Sequence, residues 1–370
     1  MDVTFIDFVA AFSYALDAIS PEYGHRSARR AWIVMHLTYR RNFDLHRQQR
    51  LFLAALLFGL RQHSKPSEYA PLFDASLPAF RKVAKLIDGT GLRAECALLQ
   101  LAEDLDLLTY RMHPKGEYPD RVIATLCEGI GSRYELDDVL ALREMEADPS
   151  FWKELSSASL VDAIADLAPM VRQPLDEATL LQLARFLSTM VDNHCRSVCS
   201  HSMQVAELSA GMAKLYGFSS GGILRIRIAG LLHDVGKLAL PASLLNKSGP
   251  LTAYEARQLS THAEQSRDIL SRIPGMGDIA RLAGSHHERP DGNGYPSRLR
   301  GSQLDLAQRI LCVANCYSAL REPRSSKPGL PLIKSLNLLQ DRARAGALDA
   351  DVVDTFISWL TAPASLLASA

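Results

Sequence analysis

The sequence predicts an all-α fold, and three observations carry that prediction. Apolar residues recur at three- and four-residue spacing in segment after segment. Alternating apolar–polar strand patterns are nearly absent. Proline and glycine gather in short stretches, "MHPKGEYPD" (112–120), "PDGNGYP" (290–296) and "REPRSSKPGLP" (321–331), which read as loops. A length of 370 residues suits two or three domains. With 47% hydrophobic and 22% charged residues, the composition is that of a soluble globular protein. Basic and acidic residues number 41 each, so no basic excess is available to grip long nucleic acid. The opening "MDVTFIDF" has no basic region of a secretory signal, and no uninterrupted apolar run reaches the roughly 18 residues of a membrane span. Six cysteines, Cys96, Cys127, Cys195, Cys199, Cys312 and Cys316, are too sparse for a disulfide framework, and a cytoplasmic setting is expected.

In chain order, "FIDFVAAFSYALDAI" (5–19) has helical periodicity and opens the chain. An internal repeat follows. The stretch from His25 to Phe58 contains a histidine, a helix, an aromatic turn and an apolar "AALL" helix. The stretch from His201 to His233 contains the same order, ending in "AGLL". The intervals are 33 and 32 residues. A later parallel pairs "LLQLAEDLDLL" (98–108) with "ILCVANCYSAL" (310–320). The copies differ where it matters, because His233-Asp234 in the second stands where the first has Phe58-Gly59. One copy could bind metal there and the other could not. The stretches "MEADPS" and "RQPLDE" flank short helices between 145 and 180. The expected organisation is a regulatory or dimerising helical domain over 1–150, linker helices over 151–185, and a domain carrying the chemistry over 186–370.

The chemistry concentrates in that last domain. His194, His201, His233, His262, His286 and His287 lie there, joined by Asp234. A lone His201 or His262 is more often a core or surface residue than a ligand. Asp234-Val235-Gly236 alone could be a helix stop with Gly236 at C′, and "DGNGYP" alone could be a turn. The succession His, His-Asp, His, His-His, each closed by a loop, favours a metal site over coincidence. Imidazole and carboxylate together suit Fe, Mn, Zn or Ni. A metal pair clamps an in-line displacement at phosphorus and generates hydroxide at neutral pH. Lys237 could steady the same developing charge. The pairs Cys195/Cys199 and Cys312/Cys316 read as small buried residues one turn apart, and the basic stretches at 26–32 and 39–41 read as solvated helix faces or interdomain contacts rather than a nucleic-acid site.

Residues 185–325 resemble the HD-GYP family of metal-dependent phosphohydrolases. The resemblance rests on "HS" (201–202), "LLHDVGKLALP" (231–241), "LLNKSGPLT" (244–252) with Glu255, His262, and "HHERPDGNGYP" (286–296). The first half resembles a degenerate HD domain. The resemblance implies two HD-like helical domains in tandem. It implies a metal centre with His201, His233, Asp234, His262, His286 and His287 as ligands and Asp234 bridging. It implies hydrolysis of cyclic di-GMP to pGpG or GMP by a bridging water, with Lys237 on a phosphate. It leaves room for 3′,3′-cyclic GMP-AMP as the substrate, for a homodimer, and for a diguanylate cyclase (GGDEF) partner at the GYP loop.

Three departures modify this expectation. Asn315 in "CVANCYSAL" stands where the family has its last aspartate ligand, so the metal shared with His201 should be held less tightly. Ser197 stands where members with three metals have a glutamate, so two divalent ions at most are expected, Fe or Mn first and Ni or Zn next. The stretch "REPRSSKPG" replaces the family's Arg-Pro-Tyr-Arg segment, leaving Arg321, Arg324 and Lys327 as cations for phosphate or a guanine edge. A catalytic reading, with Asp234 and Lys237 central, stands against that of a cyclic-dinucleotide sensor with little turnover.

Overall fold

The computed structural model describes residues 2–18, 24–60, 81–112, 119–169, 172–195, 201–323 and 328–362. Among these residues the regular structure is helical, with only isolated β-bridges such as Asp291 to Arg300. The chain divides into two compact units, Asp2–Thr179 and Leu180–Ala370. No helix among the described residues is long and apolar enough to cross a membrane.

The first unit contains α1 (Phe5–Asp17), α2 (Arg26–Arg40), α3 (Leu45–Leu56), α4 (Arg81–Ile87), α5 (Arg93–Met112), α6 (Pro119–Cys127), α7 (Leu136–Glu146), α8 (Pro149–Leu155) and α9 (Leu160–Ala163). Side chains of Thr4 and Asp44 cap α1 and α3 by accepting from the backbone N–H of Asp7 and Arg47. Helix α2 is central and packs on both α3 and α5. The segment 151–179, expected as linker, is packed into this unit: α8 and α9 both lie on α2, and the Phe151 ring stacks on Trp32 at 6.4 Å. Burial of these apolar faces makes the segment part of the core and moves the division of the chain to 179/180.

The second unit begins within α10 (Glu177–His194) and continues through α11 (His201–Leu215), α12 (Ser220–Leu232), a 3-10 turn (Val235–Ala239), α13 (Ala242–Leu245), α14 (Ala253–Ser271), α15 (Gly277–Gly284), α16 (Leu306–Arg321), α17 (Leu332–Arg344) and α18 (Ala350–Thr361). Helix α11 is central and packs on α12 and α16. That is the pattern of α2 with α3 and α5, which are the segments the internal repeat pairs. Helices α17 and α18 cover the outer side of α16, with Leu339, Val353 and Phe356 fully buried among Ile310, Val313 and Tyr317.

The two units fill equivalent interiors differently. In the first, Arg30 of α2 is buried and donates to Glu103 Oε2 (2.8 Å), Ala55 O (3.2 Å) and Ser27 Oγ (2.9 Å). Its guanidinium also lies over the Phe58 ring at 5.5 Å. Arg26 pairs with the same Glu103 and with Asp106, and Arg29 pairs with Asp106. The repeat sets Glu103 opposite Asn315. A protein cation therefore neutralises the carboxylates of the first unit.

Removing Glu103 would leave the Arg30 charge buried without its carboxylate partner. Glu103→Ala is expected to cost the first unit about 3–5 kcal/mol. Calorimetry should show that unit melting earlier while the metal content of the whole chain is unchanged. A fall in metal content would mean that the first unit itself holds a metal.

Candidate metal centre

Helix α12 is apolar on most of its surface and is capped at its start by Ser219, whose hydroxyl accepts from Gly222 N. It ends by delivering His233 at its C-cap and Asp234 just beyond. The chain then tightens into the 3-10 turn, which lies flat on α14. Gly236 makes this approach feasible. A Cβ there would fall 2.1 Å from His262 O, and Gly236 N donates to Ser266 Oγ at 2.9 Å. Gly236 does not have a positive φ, so its role is close packing rather than a left-handed helix stop. Helix α14 is started by a Thr252–Glu255 capping box, which sets the register that aims His262 at Asp234.

His286 and His287 follow the end of α15 and are held by the next loop. Buried Glu288 accepts from Ser297 N (2.6 Å) and Leu299 N (2.8 Å), and Tyr295 N donates to His287 O (3.2 Å). The Tyr295 ring stacks on His287 with centroids 4.7 Å apart. A Cβ on Gly294 would come within 2.4 Å of Arg289 N, so only glycine lets the loop fold back this tightly. The GYP stretch is a strap over the histidine pair, and Tyr295 is its member that reaches the cleft.

The result is a single carboxylate between two histidine groups. Asp234 Oδ2 lies 3.1 Å from His233 Nε2 and 3.9 Å from His201 Nε2. Asp234 Oδ1 lies 3.3 Å from His262 Nε2 and 3.7 Å from His286 Nε2. Ligand atoms of His201, His233 and Asp234 form one cluster within 4.8 Å, and those of His262, His286 and His287 form another. Asn315 joins the first group, its Oδ1 3.2 Å from His201 Nε2. Lys237 Nζ donates to Asp234 Oδ2 at 2.6 Å.

Three histidines donate Nδ1–H to a backbone carbonyl three residues back: His233 to Gly230 O (2.8 Å), His262 to Leu259 O (2.6 Å) and His286 to Ala283 O (2.6 Å). A carbonyl only accepts, so each Nδ1 carries a proton and Nε2 faces inward. Burial holds His286 and His287 far below the usual histidine range, and neighbouring imidazoles push them further down. His201 is lowered to about 3 by burial and by His233. His286 Nε2 is therefore a bare lone pair, and it lies 3.0 Å from His262 Nε2. Burial opposes charge on Asp234, yet His233 and Lys237 outweigh it and hold the carboxyl well below its ordinary value. Two buried atoms at the centre, His233 Nε2 and Asp234 Oδ1, have no partner of normal hydrogen-bond geometry. Converging lone pairs around an ionised carboxylate are the donor set of a divalent cation, and these residues fit such a group.

A cleft of about 580 Å³ opens over the cluster, a size that suits a small ligand of two nucleotides. His201, Asp234, Lys237, His262, His287 and Asn315 line it. His233 and His286 lie beneath, fully or almost fully buried. Arg321 is not brought to this cleft: its guanidinium donates to Leu330 O at 2.6 Å, where the chain after α16 folds back. Arg324, Lys327, Ser197 and Cys199 lie outside the described residues. Sequence reasoning did not single out Asp192, Cys195 or Glu322 as site residues, and all three line the cleft. Burial raises Asp192 to about 6, with Asp234 adding to the rise, although its carboxylate accepts from Ser202 Oγ at 2.8 Å. Burial raises the Cys195 thiol to about 12, so it is not a reactive thiolate. Cys312 is a packing residue whose thiol donates to Ser285 O beneath the histidine pair.

Gly236→Ala forces the 3-10 turn away from α14 and so moves Asp234 from His262. Overpacking of this kind costs about 1–3 kcal/mol. Thermal denaturation should show that loss, together with lower metal content. Gly249→Ala is the control, because nothing lies within 4 Å of a Cβ at that rim position. Equal metal content in the two variants would remove the packing role assigned to Gly236.

Comparison with known proteins agrees with this geometry. The HD domain family matches residues 185–352. The 3′3′-cGAMP-specific phosphodiesterase 1 of Vibrio cholerae is 29% identical over 270 residues, covering 70% of this chain and 62% of that protein. A cyclic di-GMP phosphodiesterase of Thermotoga maritima is 30% identical over 184 residues, covering 49% of this chain and 50% of that protein. The chain thus spans less than two thirds of either relative's length. The crystal structure of a cyclic GMP-AMP specific phosphodiesterase of V. cholerae superposes with a TM-score of 0.67 at 19% identity, over 98% of this chain and 99% of that one, which establishes a shared fold. The second unit thus matches the HD domain family, and its His-Asp, His-His and Gly-Tyr-Pro residues, assembled around one cluster, make it similar to the cyclic-dinucleotide phosphodiesterases of the HD-GYP type.

Proposed function

We propose that this chain is a metal-dependent phosphodiesterase that hydrolyses a cyclic dinucleotide, with cyclic di-GMP as the first substrate to test. The observation that carries this reading is Asp234, whose two oxygens face two separate histidine groups. His201, His233 and Asn315 with Asp234 Oδ2 would hold one divalent ion, and His262, His286 and His287 with Asp234 Oδ1 would hold the other. Ions of this kind, Fe or Mn first, activate water and neutralise phosphoryl oxygens. The chain's own residues supply the rest. Lys237 offers a fixed ammonium to a phosphate oxygen beside Asp234. Tyr295 and the rim residues Asn246 and Lys247 bound the cleft. Arg324 and Lys327 are the remaining cations for a second phosphate or a guanine edge.

A second reading takes 3′3′-cyclic GMP-AMP as the substrate, and the relative of that specificity favours it. The wider proposal is a cytoplasmic protein whose first unit, a degenerate HD domain, is regulatory or dimerising. Its GYP loop, with Asn293 exposed, would be the contact for a diguanylate cyclase domain.

Metal analysis of anaerobically purified protein, with product analysis on both dinucleotides, tests the proposal. No more than two ions per chain are expected, with the Asn315 side partly filled, because a neutral amide is a weaker ligand than a carboxylate. Asn315→Asp should raise metal content and rate at limiting metal. Asp234→Asn should abolish turnover and lower kcat and kcat/KM together. If the wild type binds a dinucleotide but cleaves neither one with Fe, Mn, Ni or Zn, while Asn315→Asp does, the protein is a sensor. Three tightly held ions would overturn the assignment of the ligands.

A further inference from the structure

His201 is oriented differently from the other buried histidines. His233, His262 and His286 each use a carbonyl of their own helical turn to fix the proton on Nδ1. His201 stands at the first position of α11, and its Nδ1 meets a side chain from another helix, Ser318 Oγ of α16, at 3.0 Å. Ser318 is fully buried. Its Oγ also lies 2.7 Å from Gln204 Oε1, on α11 one turn beyond His201. An amide oxygen only accepts, so the serine proton goes to Gln204. The serine lone pair is then left to accept Nδ1–H of His201. Glu322 Oε2, one turn past Ser318, adds a negative charge 3.5 Å from the same nitrogen.

The opposite face of the ring explains why this matters. His201 Nε2 lies 3.2 Å from Asn315 Oδ1. An amide oxygen at that distance can accept a proton from Nε2, giving a competing tautomer whose N–H points at the metal position. In that tautomer the ring cannot serve as a ligand through Nε2. We infer that Ser318 and Gln204 form a two-link relay that keeps the His201 proton on Nδ1 and turns the Nε2 lone pair toward Asn315 and Asp234. Ser318 is thus a positioning residue for the metal on the Asn315 side. The inference rests on the reading of His201 as a ligand. Outer partners of ligating histidines are worth about 10–100-fold in metal affinity.

The test uses the full chain with histidine labelled in its ring nitrogens. The metal-free protein should show His201 as the Nδ1–H tautomer, its resonance identified by its loss in His201→Gln. Ser318→Ala should shift that tautomer toward Nε2–H. It should also weaken the more loosely bound Mn ion about 10–100-fold in titration, leaving the tighter ion unchanged. Ser318→Thr, which keeps the hydroxyl, should restore both readouts. Gln204 is exposed, so Gln204→Leu probes the second link without disturbing the core and should give part of the same shift. If Asp234→Asn abolishes Mn binding while Ser318→Ala and Gln204→Leu leave the tautomer and both affinities unchanged, the relay is wrong and the metal reading stands. If Asp234→Asn leaves Mn binding intact, the metal reading fails and the relay fails with it.

Discussion

One ionised carboxylate buried among imidazoles sets the constraints on the second unit. Asp234 has almost no exposure, and a lone carboxylate in such a place would neutralise itself by taking up a proton. Here it remains ionised because His233 and Lys237 stand against it. Everything around it serves that arrangement. The 3-10 turn after α12 presents both oxygens, Gly236 lets that turn lie on α14, and α14 brings His262 to Oδ1. The loop after α15 then closes over His286 and His287, tied down by the two backbone bonds to Glu288. His201, His286 and His287 are held well below the usual histidine range by burial, which keeps these three rings uncharged beside the carboxylate.

The first unit is a natural contrast. It has the same central helix with the same two neighbours, yet its interior is neutralised by arginines against Glu103 and Asp106. A guanidinium is a permanent cation that the chain supplies for itself, whereas imidazoles around an aspartate form a site for an external one. The two units thus share an order of helices but differ in what neutralises the carboxylates at its centre.

Asn315 is the point at which the two halves of the centre cease to be equivalent. The His262 side is completed by three imidazoles, all oriented by local backbone or by the strap. The His201 side depends on an amide and on a ring oriented from another helix. Local orientation survives small movements of helices, and tertiary orientation does not. The His201 side is therefore the one that movement of α16 against α11 would affect.

The sequence by itself determined the helical class, the order of the helices, the repeat, and the His-Asp and His-His pairs. These are local features: helical periodicity follows from backbone geometry, and a pair of adjacent residues needs no fold to bring it together. The likeness of "HHERPDGNGYP" to a known family was legible for the same reason. Tertiary structure alone decided the rest. It gave Asp234 one oxygen for each histidine group, and it set Ser318 against His201 across 117 residues of chain. It brought Asp192, Cys195 and Glu322 into the cleft and turned Arg321 away to Leu330 O. It assigned 151–179 to the first unit and gave Gly236 its close approach to α14. No spacing rule along the chain encodes such contacts, because they are fixed by how whole helices pack, and each depends on the burial of apolar faces far from the groups that meet.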